Sequence, residues 1–173
     1  FNALNNIRAL ILEDPNAARQ ALSDMATMLR GVMHSEAVST VSLRDELELV
    51  KGYLALEALQ FEHRLQFDFD IDPLLQDAKL PPLLLQTLVE NAIKHGIARR
   101  ASGGTVHIRA MPTDEKRWRL HVENPPAELP LARESSGIGL KNARERLRAI
   151  FGELASLDLQ VGSKVLAVAD LPR

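Results

Sequence analysis

A cluster of polar side chains interrupts a leucine-rich segment near the middle of the chain. It consists of Glu90, Asn91, Lys94 and His95. Residues three and four positions apart share one face of a helix, so Asn91, Lys94 and His95 are expected to lie together. An amide oxygen suits a hydrated Mg²⁺ and basic groups suit phosphate oxygens, which makes the edge of a metal-triphosphate site one interpretation. A polar helix face with a surface pair between Glu90 and Lys94 is the alternative.

A second polar feature ends a predicted strand. Residues 117–124 alternate, so that Asn124 closes the apolar row that begins with Trp118, while Glu123 points to the opposite face. The Asn124 amide could meet a ligand inserted between the sheet and the helices. The alternative is an asparagine that only turns the chain before two prolines.

A glycine-containing loop precedes the last predicted helix. Glycines allow close backbone approach, serine hydroxyls can cap, and free amides at a helix start attract phosphate. A flexible loop followed by a capped helix is an equally simple interpretation. The candidate binding residues in this segment are Ser136, Gly137, Ile138, Gly139 and Leu140.

Composition excludes several classes of protein. The chain has 173 residues, a formal net charge of −2 and no cysteine. There is therefore no disulfide, no thiolate nucleophile and no cysteine-ligated zinc, and no overall charge that would attract nucleic acid. No apolar run reaches the roughly 18 residues that cross a bilayer. Because the first residue is Phe1 and not Met, we expect a fragment.

The hydrophobic periodicity divides the chain into two parts. Residues 1–64 have helical spacing and predict two amphipathic helices, whose apolar stripes we expect to pair with each other and with a second copy. Residues 65–173 predict strands at 65–71, 105–111, 117–122, 157–161 and 164–171. Helices are predicted from Pro81-Pro82 and over residues 139–151. The predicted fold is α+β: a two-helix dimerisation arm (1–64) and a two-layer sandwich (65–173), with a mixed sheet and helices on one face.

Three motifs occur in an order that resembles the Bergerat-fold ATPases (the GHKL superfamily). Within that superfamily the chain resembles the LytS-type sensor histidine kinases, and the resemblance spans nearly all of it. The opening residues 1–6 are similar to the tail of that family's phosphoacceptor motif, and residues 53–57 with Gln60-Phe61 resemble its second helix. The motifs are Glu90-Asn91-Ala92-Ile93-Lys94-His95-Gly96, then Asn124, then Gly137-Ile138-Gly139-Leu140-Lys141-Asn142-Ala143-Arg144.

The resemblance implies a role for each candidate residue. Asn91 would bind Mg²⁺, Lys94 and His95 would contact the phosphates of ATP, and Glu90 would be the general base. The segment from Ser136 to Leu140 would cradle phosphate at the end of a lid formed by residues 125–136, with adenine near Asn124. Where the superfamily usually has Asp-x-Gly, this chain has Asn124-Pro125-Pro126, so we expect weaker nucleotide affinity because the charge is lost.

The resemblance also implies partners and a location. The chain would be the cytoplasmic transmitter of a two-component sensor histidine kinase, a homodimer through residues 1–64, in a protein anchored in the inner membrane by upstream segments. A phosphohistidine would pass its phosphoryl group to a response regulator of the LytTR type. The family's acceptor histidine lies just before the position of Phe1, so this fragment should not autophosphorylate. Two alternatives stay open: an ATPase in which Glu90 activates water, and a degenerate dimeric scaffold that docks a regulator.

Overall fold

A computed structural model describes residues 40–128 and 138–173. The predicted first helix of the arm and most of the lid fall outside these residues. The described elements, in chain order, are β1 (Val41–Ser42), α1 (Leu43–Phe61), β2 (Leu65–Ile71), β3 (Lys79–Leu80), α2 (Leu84–His95), β4 (Gly104–Pro112), β5 (Arg117–Asn124), α3 (Ile138–Phe151), β6 (Ser156–Val161) and β7 (Val165–Pro172).

Five strands form one mixed sheet in the order β2-β4-β5-β7-β6. Strand β2 is parallel to β4, and every other pair is antiparallel. The alternation of β5 places Trp118, Leu120 and Val122 in the core, while the other face carries charged side chains. On that outer face Glu123 accepts a hydrogen bond from Lys164 Nζ at 2.7 Å. The predicted α+β architecture with a mixed sheet is thus confirmed.

Helix α1 begins with the predicted capping arrangement. The Asp45 amide donates to Ser42 Oγ at 3.2 Å, and Ser42 N donates back to Asp45 Oδ2. Strand β1 pairs with β3, which joins the start of α1 to the segment that leads into α2. Among the described helices, none is long and apolar enough to cross a membrane.

The apolar stripe of α1 packs against a different surface from the one expected. It is buried within this chain, in the same core as α2 and the sheet. Leu54, for example, is fully buried without any second copy. The expectation that this stripe packs on a dimer partner is therefore wrong, because α2 already covers it. The division at residues 64 and 65 stays a prediction, against which the shared core argues. The stripe consists of Leu43, Leu47, Val50, Leu54 and Phe61.

Helix α2 begins later than predicted. Pro81 and Pro82 precede the helix, Leu83 has a left-handed backbone with φ of 60°, and the helix starts at Leu84. The buried face of α2 is otherwise as expected, since Leu84, Leu85, Leu88 and Ala92 all lie in the core. The last helix ends as predicted at Gly152, whose φ of 60° suits a residue without a side chain.

Candidate functional site

The polar face of α2 carries the first part of the candidate site. Asn91 Nδ2 donates a hydrogen bond to the Thr87 carbonyl oxygen at 2.6 Å. Since a carbonyl can only accept, this contact fixes the orientation of the amide. The bond uses the nitrogen and leaves the Oδ1 oxygen, which is the kind of ligand that Mg²⁺ prefers. The hydrogen bond therefore occupies the Asn91 nitrogen and not its oxygen.

The start of α3 lies against this polar face. A Cβ atom added to Gly139 would be 3.6 Å from Thr87 Cγ2 and 3.7 Å from Asn91 Nδ2. The two segments that the sequence predicts to form one site are therefore close together, although 48 positions separate Asn91 from Gly139. Leu140 is half-buried beside them. Ser136 and Gly137 lie outside the described residues.

Asn124 lies at the C-terminal end of α2. It is 3% exposed, and its Nδ2 donates to the Pro125 carbonyl at 2.8 Å. A Cβ atom added to Gly96 would be 2.1 Å from Asn124 Nδ2, so only glycine allows the helix end to approach this closely. Gly96 follows Asn91 by five residues, about 7.5 Å along a helix axis. The α2 helix therefore connects the Asn91 region with the Asn124 region.

His95 and Lys94 differ in their environments. Burial, with the nearby charges of Lys94 and Arg99, lowers the pKa of His95. Its Nδ1 atom is buried and has no hydrogen-bond partner within residues 40–128 and 138–173. A neutral imidazole is therefore the favoured form near pH 7, so His95 would contact a phosphate as a neutral donor. Lys94 is exposed and supplies the positive charge on this face.

Glu90 lies on the side of α2 that faces α1. Its Oε1 accepts a hydrogen bond from Gln86 Nε2 at 2.8 Å, and among the described residues it forms no pair with Lys94. Tyr53 and Glu57 of α1 are close enough to interact with it electrostatically. Burial raises the pKa of Glu57, the hydrogen bond from Tyr53 opposes that rise, and Glu90 adds to it. The candidate base thus has a second carboxyl group for a neighbour.

The segment that follows Asn124 is held in place. Arg100 Nη1 donates to the Pro126 carbonyl at 2.9 Å, and its Nη2 lies 2.9 Å from Glu128 Oε1. A side chain at Gly104 would collide with Pro125, since a Cβ there would be 2.5 Å from Pro125 Cγ. Contacts with residues 100–104 therefore hold Pro125 and Pro126 in place.

Sequence reasoning missed some of these positions. The missed positions are Thr87, one turn before Asn91, and Gly96, directly after His95. They shape the site by packing and not by binding or catalysis. A glycine directly after a polar helix was the available signal for Gly96. Of the basic residues at the start of α3, Lys141 lies 3.8 Å from Glu145 on the surface. Arg144 and Arg146 instead donate to the carbonyls of Leu157 and Pro82.

Comparison with known proteins shows which family the chain resembles. Residues 1–65 match the family model described as histidine kinase. The sensor protein LytS of Enterococcus faecalis is 32% identical over 166 residues, covering 88% of this chain and 28% of that protein. The sensor histidine kinase BtsS of Escherichia coli is 35% identical over 153 residues, covering 88% of this chain and 27% of that protein. The chain thus spans less than a third of the length of these two relatives.

Solved structures agree on the fold. The catalytic domain of the histidine kinase ThkA superposes with a TM-score of 0.59 at 16% identity, covering 77% of this chain and 95% of that domain. ThkA bound to the response regulator protein TrrA gives a TM-score of 0.55 at 17% identity, over 99% of this chain and 57% of that one. The described residues have the fold of a histidine kinase catalytic domain. The chain is a homologue of the LytS-type sensor histidine kinases.

Proposed function

We propose that this chain binds Mg-ATP between the polar face of α2 and the start of α3. The γ-phosphoryl group is transferred to a histidine and then passed to an aspartate of a response regulator. The observation that carries the proposal is that Gly139 lies beside Asn91, since a Cβ atom added to Gly139 would be 3.7 Å from Asn91 Nδ2, which brings a possible metal-binding amide next to a helix start. A helix start attracts phosphate through its free amides and its dipole.

Each residue of the site has a part in this proposal. Asn91 Oδ1 holds Mg²⁺, whose charge would offset that of the phosphates. Lys94 adds a mobile positive charge, and the absence of a side chain at Gly139 leaves room for a phosphate against the helix start. Asn124 accepts a hydrogen bond from the adenine amino group. Glu90 takes the proton of the attacking imidazole as the general base.

The partners are proposals of the same kind. The response regulator is of the LytTR type, and the protein acts as a cytoplasmic homodimer with its membrane anchor upstream. The homodimer forms through residues 1–64. Because the apolar stripe of α1 is buried within the chain, contacts between the two copies rest on the exposed face of α1 and on the residues before it. ThkA, which shares the fold, is known in complex with a response regulator, and this supports a similar encounter here.

Labelled ATP separates the proposed kinase from its alternatives. The chain, extended upstream with its native residues so that an acceptor histidine precedes Phe1, is incubated with Mg²⁺ and γ-labelled ATP. We expect protein-bound label that is lost in acid and retained in base. Steady release of phosphate without labelled protein would favour the ATPase, and neither product would favour the scaffold.

Asn91→Ala tests the metal site directly. The variant should lose Mg-dependent nucleotide binding in calorimetry and keep its far-UV circular dichroism spectrum, because Asn91 is only half-buried. Gln160→Ala, which removes an exposed amide from the edge strand β6, is the matched control and should bind as the wild type does. An unchanged affinity in Asn91→Ala would remove this residue from the site.

A further inference from the structure

A buried carboxylate connects α1 with the start of α2. Glu46 is 1% exposed. Its Oε1 accepts from the Leu83 amide at 2.6 Å and its Oε2 accepts from the Leu85 amide at 3.0 Å. The first amides of a helix have no partner within the helix, and a buried carboxylate is costly unless it is hydrogen-bonded. The two amides gain an acceptor and the carboxylate gains two donors. Glu46, a residue of α1, therefore caps the start of α2.

The backbone at this point is held in an unusual conformation. Leu83 is one of two described non-glycine residues with positive φ. A left-handed backbone costs a residue with a side chain about 1–2 kcal/mol, so it persists only where surrounding contacts impose it. The hydrogen bond from the Leu83 amide to Glu46 is such a contact. The entry angle of α2 is therefore set by a side chain of α1.

A residue of α3 reaches the same point. Arg146 Nη1 donates to the Pro82 carbonyl, and its charge favours the ionised form of Glu46. Arg146 follows Gly139 by seven residues, about 10 Å along α3. Helix α3 thus approaches the α2 segment at two places. Arg146 bonds to Pro82, two residues before α2 begins, and Gly139 lies beside Asn91, where an added Cβ atom would be 3.7 Å from Asn91 Nδ2. The first place is where Glu46 caps α2, and the second is the candidate site.

We propose that Glu46 and Arg146 are positioning residues that set the orientation of α2 relative to α3, and thereby the placement of Asn91 opposite Gly139. The inference rests on the proposed function, since it assigns how that site is held in shape. A helix packed in a protein interior resists deformation, so a displacement at one end also moves the other end. Misplacement of a reacting group by about 1 Å can cost as much as 10²-fold in rate. Glu46 itself is buried, so it would act on the nucleotide only through α2.

Nucleotide affinity of folded variants of the full chain tests the proposal. Glu46→Gln keeps the size of the side chain but loses the charge and one acceptor, and Arg146→Met keeps the length but loses the donor. We expect both to bind Mg-ADP about tenfold more weakly, and the double variant to lose less than the two effects added, because the residues share one segment. Arg146→Lys, which keeps a donor, should recover most of the affinity.

Leu171→Ala is the control for a variant that loses stability but keeps the orientation of α2 relative to α3. Leu171 is fully buried and pairs with Trp118, six residues from Asn124 along β5, or about 20 Å. It should destabilise the fold and leave nucleotide affinity unchanged. A wild-type chain that does not bind Mg-ADP overturns the proposed function and this inference with it. A wild type that binds, with Arg146→Met or folded Glu46→Gln equal to it, overturns the positioning role alone.

Discussion

The Asn124 amide shows how one residue can serve the fold and the ligand at once. Its nitrogen is used by the Pro125 carbonyl, and its Cγ and Nδ2 fill the space that Gly96 leaves open. The oxygen is the part of the group that could accept from adenine. An aspartate in this place would offer a charged acceptor but could not donate to Pro125.

Asn124→Asp should therefore have two opposite effects. Without nucleotide, the lost donor and the buried charge should lower the free energy of unfolding by about 1–3 kcal/mol. With Mg-ADP, the charged acceptor should make the nucleotide-induced rise in Tm larger than in the wild type. Thermal unfolding with and without nucleotide measures both, and Gln160→Glu on the exposed edge strand controls for added charge. A smaller nucleotide-induced rise would show that residue 124 does not read adenine.

At the scale of elements, the sequence predicts what local patterns determine. Strand β2 was predicted at its observed bounds because its alternation is unbroken, and α3 differs by one residue at its start. The start of α2 was misplaced because its cap comes from Glu46, 37 positions before Leu83. The polar face of α2 could be read from helical spacing. Its contact with Gly139 depends on how two helices pack, which spacing alone does not contain.

The cap at α2 should also make stability depend on pH. Burial raises the pKa of Glu46 to about 7, although the amides of Leu83, Gln86 and Leu85 and the charge of Arg146 lower it. The native state thus binds a proton more tightly than the unfolded chain does. The stability from this group is complete below pH 4.5, its ordinary value, and is lost as the pH rises through about 7.

Urea unfolding between pH 5 and pH 8 measures this effect. The wild type should lose about 3 kcal/mol from Glu46 over that range, whereas Glu46→Gln should lack this slope. His95 acts in the opposite sense, because its lowered pKa makes the native state less stable as the pH falls below 6.5. The difference between the two proteins removes that contribution. Parallel pH profiles would show that the Glu46 carboxyl titrates in the native state as it does when unfolded.

At the scale of the whole molecule, α1 shows the limit of an amphipathic pattern. The stripe from Leu43 to Phe61 correctly predicted a buried face, but the pattern does not say what covers it. A second copy was expected, whereas the structure places α2 and the sheet against it. Hydrogen bonds from Leu43 N to the Ala78 carbonyl and from Arg44 N to the Gln76 carbonyl, both 2.9 Å, tie the helix to the same body.

We therefore expect a fragment of residues 40–173 to fold and a fragment of residues 65–173 to fail. Removing α1 exposes the apolar surface that it covers and leaves the Leu83 and Leu85 amides without Glu46. Each fully buried leucine or valine contributes about 1.5–3 kcal/mol, so several together match the whole stability of a small domain. Cooperative thermal unfolding, followed by circular dichroism, should appear only in the longer fragment.

Point substitutions in α1 give the same test without truncation. Leu54→Ala should lower the free energy of unfolding of the full chain by about 2–5 kcal/mol, because Leu54 is fully buried. Leu59→Ala, on the same helix but 46% exposed, should change it by less than about 1 kcal/mol. Cooperative unfolding of residues 65–173 near the Tm of the longer fragment, with Leu54→Ala as mild as Leu59→Ala, would restore the domain boundary after Arg64. α1 would then be an arm that residues 65–173 do not need in order to fold.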